Sequence, residues 1–167
     1  MRAISALLFS VLFFSLCSYA DYAPYSNRYI SQISELIVIG TATVVENGSF
    51  YGFKQKVYFE VETNLKGKSP KVITVLARSG FICDLTRFKN GRYLLFLQKN
   101  KNNIFEFEVM PSFVSVNFDN GVHEIINNKT WWYSEKLETR EEIFKNLEVI
   151  TSEINNFSRI PWKKGIF

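Results

Sequence analysis

Few side chains in this sequence could support catalysis. The 167-residue chain holds two cysteines, Cys17 and Cys83, and a single histidine, His123. Cys83 and His123, with Asp84 or Asp119, could form a thiol catalytic set, because a cysteine nucleophile needs a base that raises its thiolate fraction. No recognised signature surrounds either residue, and Cys83 lies in an apolar stretch, which favours burial of the thiol. The sequence therefore predicts no catalytic residue, with a small exported enzyme that uses Cys83 as its nucleophile as the alternative.

A metal centre or cofactor is not expected either. Zinc sites need three or four closely spaced ligands, and the cysteines and the one histidine are too few and too far apart. We therefore predict a protein without metal or cofactor.

Three consecutive aromatic residues, Trp131, Trp132 and Tyr133, are the first candidate binding site. They cannot all face inward from one element, so at least one is expected to be exposed. Exposed Trp and Tyr side chains are favoured anchors at protein or carbohydrate contacts. The alternative is structural, namely that these rings clamp a C-terminal helix onto the rest of the domain.

Basic residues near turns, chiefly Lys66, Lys68 and Arg87, are the second candidate site. A barrel could bring them to one end, where they would form a groove for a polyanion with neighbouring aromatic rings. The alternative is a solvated rim, and the modest net charge of +4 favours it. Dedicated nucleic-acid binders are usually far more basic, so no nucleic-acid partner is expected.

The first twenty residues are predicted to be a secretory signal peptide. Arg2 supplies a positive start, an apolar run extends over 3–16, and Ser18 and Ala20 form the small-x-small pattern at which a signal peptidase cuts. Cleavage after Ala20 would export the protein to the periplasm or the medium. The apolar run is shorter than the roughly 20 residues of a spanning helix, so no membrane span is expected after cleavage.

A lipid anchor at Cys17 is the less favoured alternative. Lipoproteins carry a small residue before the lipidated cysteine, and Leu16 stands there in this chain. Such an anchored protein would have a structural role in the cell envelope. The favoured prediction leaves one domain over 21–157 with an irregular tail over 158–167, a length typical of a single domain.

Alternation and turn residues predict a mainly-β domain. Val57, Phe59 and Val61 alternate with polar residues, which indicates a strand with one buried face. The continuous apolar run from Leu36 onward indicates burial on both faces, and Asn47-Gly48 predicts a turn after it. About five to six antiparallel strands at this spacing, including one at 105–109, are typical of a sandwich or barrel.

Helices are predicted at both ends of the domain. Ser26 or Asn27 can cap a short helix that extends to about residue 35. Near the C-terminus, Thr139 and Glu142 match a capping box, and apolar residues from Ile143 to Ile154 recur at helical spacing. These signals predict an amphipathic helix over 141–155 that packs on the barrel.

Residues 29–116 resemble bacterial exported domains akin to the tissue inhibitors of metalloproteinases and the netrin module. The resemblance is carried by Leu36-Ile37-Val38-Ile39-Gly40, by the Asn64-Leu65-Lys66-Gly67 turn, and by Phe88 to Leu97 with its Asn90-Gly91 turn. It implies a five-stranded barrel of the oligonucleotide/oligosaccharide-binding (OB) type with flanking helices.

The resemblance does not extend to the inhibitors' mechanism. Those inhibitors coordinate the protease zinc through an N-terminal cysteine of the mature protein. The mature chain here would instead begin at Asp21. The expected function is an exported, non-enzymatic binding module, of a protein-interaction or inhibitor-like kind. Its expected partner is a protein of the exported compartment, and the module itself is expected to be a monomer or a weak oligomer.

Overall fold

The computed structural model describes residues 26–50, 52–78, 86–100, 112–116, 118–133 and 142–159. Two helices, eight strands and one 3-10 turn lie within these ranges. The helices are α1 (Asn27–Ile33) and α2 (Leu147–Arg159), and the 3-10 turn spans Phe118–Gly121. The strands are β1 (Leu36–Phe50), β2 (Phe53–Lys66), β3 (Val72–Ala77), β4 (Gly91–Lys99), β5 (Ser112–Ser115), β6 (Val122–Glu124), β7 (Lys129–Tyr133) and β8 (Glu142–Asn146).

Five strands pair in a cycle that nearly closes into a barrel. β1 pairs with both β2 and β4, β2 pairs with β3, and β4 pairs with β5, all antiparallel. β3 and β5 complete the cycle as a parallel pair. β6 adds to β4, and β7 pairs with β8 in a separate two-stranded sheet. The predicted mainly-β, barrel-like fold with two flanking helices is confirmed, although one of its pairings is parallel.

The barrel has an apolar core on each side of its wall. Alternate residues of β1 and β4, such as Val38 and Leu95, point into the barrel among Val57, Phe59 and Val75. Their neighbours point outward into a second core that α1, α2 and Trp132 cover. The outer core contains Ile30, Ile37, Ile39, Leu94, Phe96, Val116, Ile125, Trp132, Leu147, Ile150 and Ile154. The expectation that the run from Leu36 is buried on both faces is therefore confirmed.

The helix boundaries follow from capping and from strand pairing. The Ser26 hydroxyl accepts a hydrogen bond from the Tyr29 backbone N–H at 3.2 Å and begins α1, as predicted. The predicted start of the C-terminal helix is wrong, because residues 142–146 form β8 opposite β7. The helix begins only at Leu147, whose N–H donates to the carbonyl of Asn128 at 3.0 Å. It also extends through Arg159, so the first two residues of the predicted irregular tail are helical.

The first hairpin reverses later than predicted. Asn47-Gly48 is not a turn, because Asn47 pairs with Gln55 within the ladder and the last pair is Phe50 with Phe53. The reversal uses Gly52, whose φ of +90° is readily available only to glycine.

Several predictions concern residues outside the described ranges. They are the signal peptide and its cleavage after Ala20, a lipid on Cys17, the state of Cys83 and the strand over 105–109. None of the helices in the described ranges has the length and apolar character needed to span a membrane.

Gly40 offers a test of the barrel wall. A Cβ at this position would lie 2.0 Å from the carbonyl oxygen of Glu60 and 2.7 Å from the Phe59 ring. We expect Gly40→Ala to lower the free energy of unfolding by about 2–3 kcal/mol, because the backbone of β2 must shift to relieve the overlap. Chemical denaturation measures this change.

Gly48→Ala is the matched control on the same strand. Its added Cβ would meet only the Phe50 ring, at 3.2 Å, which can rotate away. A change within about 0.5 kcal/mol is expected. Equal effects of the two substitutions would contradict the close approach at Gly40.

Candidate functional site

The antiparallel pair β7–β8, which we call the ribbon, presents aromatic side chains on its outer face. Trp131 lies directly opposite Phe144, and Tyr133 lies opposite Glu142. Residues that are opposite or two apart share a face, so these four side chains are neighbours. The ring centroids of Trp131 and Phe144 are 5.3 Å apart, yet the two residues remain 51% and 43% exposed.

The inner face of the ribbon is anchored by Trp132. This residue is 1% exposed, and its ring lies 6.0 Å from that of Phe96 and 5.7 Å from that of His123. Its indole N–H donates to the Glu153 carboxylate of α2 at 2.8 Å, and Lys145 of β8 forms an ion pair with the same carboxylate. Trp132 therefore clamps ribbon, helix and barrel together, which is the structural alternative for this one ring.

Hydrogen bonds fix both ends of β7. Asn127 and Asn128 both have positive φ, 51° and 59°, and form a two-residue turn that is flanked by mutual backbone hydrogen bonds of Ile126 and Lys129. At the other end, Tyr133 is half-buried. Its hydroxyl donates to the side-chain oxygen of Asn120 at 3.3 Å, and its carbonyl accepts a hydrogen bond from Asn27 of α1.

A pocket of about 310 Å³ lies where the ribbon meets β6 and the 3-10 turn. Its lining includes Trp131, Tyr133 and His123, the polar Asn120, and the acidic Glu124 and Glu142. No lysine or arginine of the described ranges lines it. The pocket thus combines an exposed indole with two acidic residues.

His123 is buried between barrel and ribbon rather than presented to solvent. It is 7% exposed, its ring packs edge-on against Phe96 at 5.6 Å, and its Nδ1–H donates to the carbonyl of Trp131 at 3.0 Å. Burial lowers the pKa of His123 from 6.5 to about 4, while hydrogen bonds to the carbonyls of Trp131 and Asn120 oppose part of that change. The imidazole is therefore neutral at pH 7.

The structure separates the basic candidates instead of joining them. Lys66 is the last residue of β2 and pairs with Ile37, and the exposed Lys68 follows two residues later. Arg87 precedes Phe88, whose N–H donates to the buried side chain of Gln55 at 2.8 Å. Gln55 and Lys66 lie about 35 Å apart along β2, at about 3.3 Å per residue. These residues do not form one basic groove.

Lys66 also has a structural task. Its ammonium donates to the carbonyls of Ser31 and Gln32 at 2.9 and 2.8 Å, at the C-terminal end of α1. A cation there stabilises the carbonyls that the helix leaves without partners. Partial burial lowers the pKa of Lys66.

The residues of the thiol hypothesis are not assembled in the described ranges. Cys83 and Asp84 lie outside them, and Asp119 belongs to the 3-10 turn. Within those ranges no three His, Cys, Asp or Glu residues are grouped so that they could hold a metal ion.

Sequence reasoning missed Glu142 as a site residue. The capping-box pattern places it at the start of a helix, whereas pairing with Tyr133 brings it to the pocket. Asn127-Asn128 was the available signal, because consecutive asparagines tolerate positive φ and mark a tight hairpin.

Comparison with known proteins gives no further assignment. No family model matches the chain, and no curated protein sequence matches it significantly.

The two tryptophans are expected to differ in their effect on stability. Trp132→Ala removes a buried ring and its hydrogen bond to Glu153, which should lower the free energy of unfolding by about 3–5 kcal/mol. Trp131→Ala removes mainly the contact with Phe144 and should cost about 1 kcal/mol. Urea denaturation of both variants measures the difference, and a larger loss for Trp131→Ala would refute the assigned inner and outer faces.

His123 should make stability depend on pH. In the unfolded chain it binds a proton near pH 6.5, but in the folded protein only near pH 4. The unfolded state therefore takes up more protons between these values, and the free energy of unfolding falls as the pH drops from 6.5 to 4, by about 3 kcal/mol in total.

Denaturation curves of the wild type and His123→Gln across pH 4–7.5 measure this contribution. The glutamine amide can still donate to the Trp131 carbonyl but does not titrate. The variant should be less stable at pH 7 and should lose less stability on acidification. Parallel pH profiles would contradict a buried, neutral imidazole.

Proposed function

We propose that this protein is a non-enzymatic binding module that engages a protein partner through the outer face of the ribbon. The observation that carries the proposal is the Trp131–Phe144 pair, two large rings that stay about half exposed while Thr130 and Trp132 on the opposite face of β7 are buried. Exposed, rigidly supported aromatic side chains are typical anchors of protein interfaces. Trp132, Asn27 and the Asn127-Asn128 turn supply that rigidity.

The environment of His123 supports a binding role over thiol catalysis. A general base works best with a pKa near the working pH and must reach the proton that it removes. Burial holds the pKa of His123 near 4, and its Nδ1–H is bound to a backbone carbonyl. This imidazole is a poor candidate for activating Cys83.

The cyclic strand order supports an OB-type barrel akin to the tissue-inhibitor and netrin domains. The strand order β1-β2-β3-β5-β4, with β1 also pairing with β4, is compatible with the five-stranded Greek-key barrel of that fold. With the predicted signal peptide, we infer an exported, inhibitor-like module that acts in the periplasm or the medium.

Photo-crosslinking tests the ribbon as the contact surface. A photo-reactive phenylalanine analogue at position 131 should crosslink one protein from extracts of the source cells, whereas the same analogue at the exposed position 44 of β1 should not. The crosslinked protein is then identified and purified. Its Kd should rise about 30-fold for Trp131→Ala or Phe144→Ala, the loss of about 2 kcal/mol expected of an interface anchor.

Val44→Ala is the matched control, since Val44 is similarly exposed but lies on the barrel wall. It should leave the Kd unchanged. Equal loss in all three variants, or crosslinking only to a second copy of this chain, would reject a heterologous protein partner at the ribbon.

A further inference from the structure

The pocket beside the ribbon is acidic, in contrast to the protein as a whole. The chain as a whole is basic, with a net charge of +4, but Glu124 and Glu142 are the charged residues that line the pocket within the described ranges. His123 is neutral at pH 7 and adds no positive charge.

Among the described residues, three cations of the neighbouring strands are paired elsewhere or lie at the far end of the ribbon. Lys145 is paired with Glu153, and Arg92 is bound to Glu62 at 2.8 Å. Lys129 shares the outer face of the ribbon but lies opposite Asn146, at the end remote from Glu142.

We propose that this pocket receives a lysine or arginine side chain of the protein partner, between the Trp131 indole and the acidic residues Glu124 and Glu142. The proposal rests on the proposed function and specifies the chemistry of its partner. A cation is attracted by the face of an indole ring and forms strong, charge-assisted hydrogen bonds with carboxylates. An anionic ligand would instead meet two negative charges, so a phosphate or a nucleic acid is disfavoured.

Two other polar groups of the pocket lining are hydrogen-bonded within the protein. The Asn120 side-chain oxygen accepts from the Tyr133 hydroxyl, and the Thr130 hydroxyl donates to the Glu124 carbonyl at 2.7 Å. They hold the pocket walls in place and leave recognition to the indole and the carboxylates. The volume of about 310 Å³ is enough for the end of a long basic side chain.

Titration with two small amides tests the cation preference. N-acetyl-arginine amide carries the guanidinium, and N-acetyl-citrulline amide has nearly the same shape without the charge. Binding to the full chain is followed by the indole NMR signal of Trp131. The arginine amide should shift that signal saturably, the citrulline amide should bind at least about fivefold more weakly, and added salt should weaken only the arginine amide.

Glu142→Gln removes one charge at an exposed position, so the variant is expected to fold. It should weaken arginine amide binding about fivefold, in line with one carboxylate contact near the surface. Glu148→Gln is the control, because it makes the same charge change on α2 away from the pocket lining. Equal effects of the two variants would indicate a general field effect and would overturn the pocket assignment.

The outcomes separate this proposal from the proposed function. If the partner still depends on Trp131 but neither amide binds and Glu142→Gln leaves its Kd unchanged, the cation site is wrong and the binding module stands. Equal binding of the two amides would show that the pocket does not select for positive charge, and the proposed cation would be wrong. If the arginine amide binds while position 131 crosslinks no protein, the partner side chain is rejected and the pocket is a site for free cationic amines.

Discussion

Between Leu36 and Ile39, and again between Tyr93 and Leu97, successive side chains enter two different apolar cores on opposite sides of the barrel wall. Neither core can form from the β1–β4 pair alone. The inner core needs β2, β3 and β5 to close around it, and the outer core needs α1, α2 and Trp132 as a cover. Each apolar side chain buried in this way contributes about 1.5–3 kcal/mol relative to exposure. The need to cover both faces explains why helices and ribbon are attached to this side of the barrel.

The candidate site is a by-product of that cover. Trp132 must point inward to fill the outer core, so the alternation of β7 turns Trp131 and Tyr133 the other way. Phe144 then pairs with Trp131 on the outer face, and Glu142 reaches the pocket beside it. The core thereby fixes the orientation of the exposed rings. The consecutive tryptophans therefore differ, since Trp132 packs in the outer core and Trp131 stays about half exposed.

Local signals in the sequence were sufficient for part of this architecture. Ser26 begins α1, and the unbroken apolar run of β1 indicates burial on both faces, because both features depend on neighbouring residues alone. β8 is missed because Ile143, Leu147 and Ile150 also fit a helical period, and the decisive partner, β7, lies outside the window in which that period is read. The separation of Lys66 from Arg87 was likewise invisible, since it depends on how far β2 extends before it turns. The pocket depends on three segments at once, so no single sequence window indicates it.

The burial of both faces has a consequence for how β1 finds its alignment on β4. In a strand with one apolar face, a slip by one residue exposes the whole apolar set, and this penalty fixes the pairing. Here such a slip would merely exchange the contents of two apolar cores. The alignment must therefore be set by residues that fit one face only, and Gly40 opposite Tyr93 is such a pair. The glycine has no room for a side chain, while the tyrosine hydroxyl is held by the backbone of Lys89. Variation at these two positions would admit a second, slipped form of the same barrel, visible as a doubled set of backbone amide signals.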